Sequence, residues 1–313
     1  MNTTTLEPLV VFKCLPVQDK IPMLNILVRQ ILAAIHILIM SIGVPANIAV
    51  TYLIYRTEQY QNQSTRLIMY LSITDVFGTC IINGASTLYM LSYEDLTCPP
   101  LLIIHSFVNC AISLNYMLIL GIAIDRMLKV RYLNDYPSVF TPFRFKLVLG
   151  VLCMLAVVQA SLIISGIYFL GYGYATILSA PIHLVCAVVM VGCYFLSIKK
   201  LREMNTASQR ISTSDRSIVK IASLHLAIFV ACIMPILVWQ MVSNIFLSMI
   251  LSEVIDILVV FVLFILISLH STLNAFMFLV VNRESRRVVV SFIQRIRQNM
   301  NMFGNRAVGV QHE

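Results

Sequence analysis

Long uninterrupted apolar runs dominate the chain, in place of the short alternations that mark half-buried strands or surface helices. Seven of them stand out, at approximately 28–54, 67–92, 101–127, 147–170, 177–198, 218–242 and 254–280. Each is close to or above the roughly 20 residues that an apolar helix needs to cross a bilayer. The stretch from Leu101 to Val130 is the clearest, because nothing in it upstream of Asp125 is charged and it delivers Asp125-Arg126-Met127 to one membrane face. Asn115 lies inside this run, roughly 15 Å before Arg126 at about 1.5 Å of rise per residue. An amide at that depth needs a partner, so the helix faces other helices. After the last run, Val288, Val289, Phe292, Ile293 and Ile296 recur at helical spacing with arginines between them, which predicts an amphipathic helix along the membrane surface. The pattern predicts an all-α membrane protein, a seven-transmembrane helix bundle with a short amphipathic C-terminal helix. Its parts are an N-terminal segment (1–27), the bundle (28–281) and a helix and tail (282–313).

Composition agrees: hydrophobic residues make up 59% and charged residues 12%, against roughly 45–50% and 25% in soluble domains. The 8 cysteines are scattered mostly singly through apolar runs, without CxxC spacing, which excludes a disulfide framework and a zinc site. The first residues lack the basic head, short apolar core and cleavage site of a signal peptide. Sequons occur at Asn2 and Asn62.

Charge sets the expected orientation. Arg56 and Arg66, then Arg126, Lys129, Arg131, Arg144 and Lys146, then Lys199, Lys200, Arg202, Arg210, Arg216 and Lys220, then six arginines from Arg283 to Arg306 all fall on one side. The opposite connections carry Glu94, Asp95 and Glu253 and no Lys or Arg. The positive-inside rule places the N-terminus outside and the C-terminus in the cytoplasm, which makes Asn2 a usable glycosylation site and Asn62 not. The net charge of +8 is therefore a topology signal that pairs with anionic inner-leaflet lipid, and no nucleic-acid partner is expected.

Polar residues within the runs carry the candidate chemistry. Asp75 is the clear ionisable case, and Asn47, Asn115, Ser271 and Asn274 lie at matching depth. They serve either as interhelical glue or as a shared polar site, centred on Asp75, that holds a cation or a proton.

Five motifs carry a family resemblance. These are Gly43-x-x-x-Asn47-x-x-Val50, Leu71-Ser72-x-x-Asp75, Asp125-Arg126-Met127, Phe229-x-x-Cys232-x-x-Pro235 and Asn274-Ala275-x-x-Phe278. In this order and at these depths the chain resembles a rhodopsin-like (class A) G-protein-coupled receptor, a divergent one. Ile233 stands in place of the family's tryptophan switch, Ala275 in place of its proline and Phe278 in place of its tyrosine, and the fourth run has no tryptophan. The resemblance implies an extracellular ligand and a heterotrimeric G protein as partners, a plasma-membrane location and no enzymatic activity. It implies no required cofactor, with sodium as the candidate ion at Asp75, Asn115, Ser271 and Asn274. The implied pocket comprises His105, Val108, Asn109, His183, Ile236, Trp239, Gln240, Phe264 and Ser268. With no charge among them at neutral pH, they suit a neutral or lipophilic ligand. Arg126 is expected to pair with Asp125 and with Asp215 of the sixth run. Phe229, Pro235 and Phe278 join the switch, with Pro235 as its hinge. The family's usual disulfide partner is missing, since 171–180 contains no cysteine; Cys98 then pairs with Cys14, or both stay free thiols. Two other readings remain, a receptor-fold binding protein that does not signal and a transporter, although no internal repeat supports the latter.

Overall fold

The computed structural model describes residues 24–92, 98–132, 135–170, 172–206, 226–236 and 253–282, with short pieces at 224, 238–239, 285–288, 290–291 and 294. Its helices are α1 (Ile26–Arg56), α2 (Gln63–Leu91), α3 (Cys98–Tyr132), the short α4 (Tyr136–Val139), α5 (Pro142–Leu170), α6 (Tyr172–Thr206), α7 (Leu226–Ile236) and α8 (Glu253–Val281). Among the described residues there is no strand. Six helices (α1, α2, α3, α5, α6 and α8) hold segments long and apolar enough to cross a bilayer, and they mark a multi-pass membrane protein. The predicted run at 218–242 is represented by the shorter α7. Asn2, Cys14, Asp215 and Gln240 lie outside the described residues, as do the side chains of Cys98 and His105.

Helix ends follow local chemistry. Asn25 caps α1 by accepting from the Leu27 amide at 2.9 Å, and Asn62, the second sequon residue, caps α2 by accepting from the Ser64 amide at 3.0 Å. The turn between them passes through Glu58 at φ 56, a left-handed conformation, and a 3-10 turn at Gln59–Gln61. Asn282, just after α8, donates to Gln59 Oε1 at 2.9 Å and accepts from the Ser285 amide at 3.1 Å, tying the chain's last described helical stretch to that turn. Arg286 and Arg287 are exposed there.

The helices pack around an apolar core that also buries a set of polar groups, and their outward faces are apolar. Large apolar side chains such as Leu38 and Tyr52 of α1, Met154 and Val157 of α5, and Val185 and Phe195 of α6 point outward. Asp75, Asn47, Asn83, His36 and Gln159 are buried. Water would penalise the outward apolar side chains, and lipid would penalise the polar ones if they faced it, so a surface that shows the first and hides the second is built for lipid. α3 is the centre: every residue from 115 to 123 is buried, and α2, α5 and α6 pack around it. α1 packs on α2 and α8.

α7 breaks where its sequence requires. The Ile233 amide still reaches Phe229 O at 2.8 Å, but Ile233 leaves the helix and the Ile236 amide turns back to Ile233 O at 3.0 Å. Pro235 has no N–H to donate to the preceding turn, and its ring crowds the carbonyl four residues back.

Candidate functional site

Asp75, on the inward face of α2, is fully buried. From α3, the Asn115 amide nitrogen donates to Asp75 Oδ1 at 2.5 Å and to Ser271 Oγ of α8 at 3.3 Å. The Ser271 hydroxyl also lies beside the Asp75 carboxylate. From α1, Asn47 donates to Gly43 O at 3.0 Å and to Ser271 O at 3.3 Å. Asn47 reaches α8 because Gly43 has no side chain: a Cβ there would run into Thr272 Oγ1, with Thr79 Cγ2 of α2 only 3.5 Å away. Four helices thus meet here, and Asn47 and Asp75 bring two separate motifs together with Asn115 and Ser271.

Asn274 departs from expectation. Its amide faces His270 Nδ1 of the same helix at 3.3 Å rather than Asp75. Residues four apart stack on one helix face, and that local partner takes the amide.

Several buried oxygens at the site have no hydrogen-bond partner among the described residues: Asp75 Oδ2, Asn115 Oδ1 and Asn47 Oδ1. Buried polar atoms ordinarily find partners, so these are open valences. One carboxylate among neutral oxygens suits a hard monovalent cation, and Asp75, Asn115 and Ser271 would hold it. Among the described residues no group of three or more His, Cys, Asp or Glu could hold a metal ion.

Sequence reasoning missed a second buried polar pair. His36 Nδ1 of α1 lies 2.7 Å from Asn83 Oδ1 of α2, and the His36 ring meets Phe261 of α8 edge-on with centroids 6.4 Å apart. Asn83 donates its amide to Thr79 O at 2.8 Å, so its oxygen faces the imidazole and His36 Nδ1 carries the hydrogen. The signal was available: Asp75, Thr79 and Asn83 recur every four residues on one face of an apolar helix.

The pocket residues divide. Val108 and Ile236 are buried in one apolar cluster against which Trp239 and Phe264 pack, and Ser268 is buried with its carbonyl accepting from Thr272. Asn109 is half-buried on α3. His183 turns instead toward α5, where it hydrogen-bonds Gln159; its carbonyl accepts from Tyr116 at 3.3 Å and its ring meets the Tyr116 ring at 5.1 Å. An amide on the facing helix claimed the imidazole, so His183 is held between helices rather than presented to an outer cavity. Tyr116 in turn packs against fully buried Phe229 of α7, at 6.1 Å.

Near the C-terminal end of α3, Asp125 and Arg126 are both buried. Among the described residues they make no ion pair with each other; Asp125 Oδ1 instead accepts from the Tyr136 hydroxyl of α4. Adjacent residues of a helix project about 100° apart, so a neighbour was the wrong partner to expect. Burial, and then the Asp125 charge beside it, push the Tyr136 phenol above its ordinary pKa, which keeps the donating proton in place. Arg126 Nε takes no protein hydrogen bond. The substituted motif at 274–278 has a visible consequence: without a proline, α8 runs unbroken through Ala275, and Phe278 packs against Val50 and Ile54 of α1.

Compared with known proteins, the chain matches no family model and no curated sequence.

Proposed function

We propose that the protein is a divergent receptor of the rhodopsin-like, G-protein-coupled type, with seven spans, its N-terminus outside the plasma membrane, and a neutral or lipophilic extracellular ligand. The observation that carries this reading is the meeting of Asn47, Asp75, Asn115 and Ser271 in one buried hydrogen-bonded site, because they come from four apolar runs far apart in the chain and two of them, Asn47 and Asp75, belong to the motifs that carry the resemblance. The broken helix before Pro235 supports the second element, a hinge in the sixth span. Ligand binding on the outer side swings the inner half of that span outward and opens a cleft beside Arg126 for the G protein. Sodium at the Asp75 site, bound preferentially by the inactive form, opposes this; only a difference in affinity between the two forms can shift the balance. The unbroken α8 favours a second reading, a binding protein that keeps the receptor architecture and no longer signals.

In this reading Arg126 and Asp215 form an inner latch. Asp215 lies 20 residues before Pro235, a separation that a continuous helix would cover in five to six turns at about 3.6 residues per turn and that would bring it level with the C-terminal end of α3. A partly exposed ion pair contributes roughly 0.2–1 kcal/mol, so Asp215→Ala should raise ligand-independent activation by less than about fivefold. The measurement is G-protein subunit dissociation in cells at matched surface expression, across the G-protein classes. Unaltered basal output in a chain that couples would sink the latch, and absence of activation by both forms would favour the non-signalling reading. Orientation is tested separately: an N-terminal epitope tag should be reached by antibody on intact cells, and one reached only after permeabilisation contradicts it.

A further inference from the structure

The Asp75 site contains its own stand-in for a cation. The Asn115 amide nitrogen, with two partially positive hydrogens, lies between Asp75 Oδ1 at 2.5 Å and Ser271 Oγ at 3.3 Å, the two oxygens an entering cation would need. The surroundings decide which end of this amide faces inward, since a reversed amide would set its carbonyl oxygen against the carboxylate with no hydrogen between them. Asn115 Oδ1 is meanwhile buried without a protein hydrogen bond, as is Asp75 Oδ2.

We propose that Asn115 gates this site. With its nitrogen inward, Asn115 donates to Asp75 Oδ1 and Ser271 Oγ and so occupies two of the oxygens an ion would need, while Asp75 Oδ2 stays open. Turned about its terminal torsion, it presents Oδ1 beside Asp75 and Ser271, and the three residues take a hard monovalent cation. That torsion is broad and roughly two-fold, so the turn needs little rearrangement of the helices. The ion must nevertheless displace a hydrogen bond to a charged group, which weakens its binding by roughly tenfold to a hundredfold compared with a site lacking the amide. A single carboxylate sets the preference for charge +1, and a second one in place of Asn115 would move it toward calcium. The inference rests on Asp75 being an ion site.

The test is thermal unfolding of the purified full-length chain, titrated with sodium chloride against choline chloride at constant ionic strength. The wild type should be stabilised only at high sodium. Asn115→Ser keeps an oxygen and removes the amide; it should unfold at a lower temperature in choline and respond to sodium at concentrations at least about tenfold lower. Asn115→Asp should respond to calcium chloride, and it carries the test if the serine variant cannot be recovered. An Asn115→Ser protein with the wild-type sodium midpoint, or an Asn115→Asp protein indifferent to calcium, overturns the gate while leaving Asp75 an ion site. A sodium response that survives Asp75→Asn, or no response in any form, overturns the ion site and the gate with it.

Discussion

In the proposed receptor reading, Arg126→Ala should bring G-protein activation down to the level of cells that lack the chain, with surface expression close to wild type. Arg126 lies 6% exposed near the C-terminal end of the central helix. It forms no ion pair with Asp125, whose carboxylate is engaged by Tyr136. Removing the guanidinium therefore breaks no buried ion pair among the described residues, and the proposed partner Asp215 belongs to a partly exposed pair of small worth, so the large destabilisation that follows loss of one partner of a buried pair is not expected. The fold survives while the group expected to meet the G protein is gone. Arg126→Lys should recover little, because an ammonium is a compact point charge and cannot reproduce the planar fork of five donors. Subunit dissociation at matched surface expression measures both variants. An Arg126→Ala chain that couples like the wild type would remove the receptor mechanism, whatever the ligand.

The largest expected effect on stability is at Gly43. A Cβ at Gly43 runs into the Thr272 hydroxyl, which is itself held by Ser268 O at 2.9 Å, and Thr272 is β-branched on a packed helix. Relief requires α1 and α8 to separate, which also pulls Asn47 from Ser271 O. Gly43→Ala should cost about 1–3 kcal/mol from overpacking, and Gly43→Leu should leave little folded protein. Gly121 provides the contrast. Its added Cβ would lie 2.8 Å from Leu152 Cδ1, the far end of a flexible side chain that can move aside, so Gly121→Ala should cost less than about 1 kcal/mol. Gly150 has nothing within 4 Å, and Gly150→Ala should gain up to about 1 kcal/mol from helix propensity. Thermal unfolding in detergent should rank the alanine variants Gly150 above Gly121 above Gly43. Equal midpoints for Gly43→Ala and Gly121→Ala would contradict the close approach of α1 and α8.

The spans were legible because crossing a bilayer is a constraint on one dimension, a sufficient length of apolar residues, and six of the seven runs correspond to long helices. Their ends were less so. The run at 101–127 belongs to a helix from Cys98 to Tyr132, and that at 177–198 to one from Tyr172 to Thr206. Hydropathy marks where lipid ends, whereas backbone hydrogen bonding carries a helix on into water. The core of the candidate site was legible for a related reason, since an acid or amide in an apolar run must find a partner. That requirement singled out Asp75, Asn47, Asn115 and Ser271.

Which partner each residue takes belonged to the tertiary structure. Neither the Asn274–His270 contact, nor the capture of His183 by Gln159, nor the pairing of His36 with Asn83 follows from depth alone. A shift of one residue turns a side chain about 100° around its helix. Partner choice therefore depends on how neighbouring helices are rotated and how closely Gly43 lets two of them approach. Asp125 is the plainest case. The sequence placed it beside Arg126 near the C-terminal end of α3, but only the folding of α4 back across that end could supply the Tyr136 hydroxyl that it binds. Length, hydropathy and charge are properties of the chain in order, and they determined the spans and the residues that need partners. The partners themselves came from the relative rotation and closeness of helices, set by contacts between residues far apart in that order.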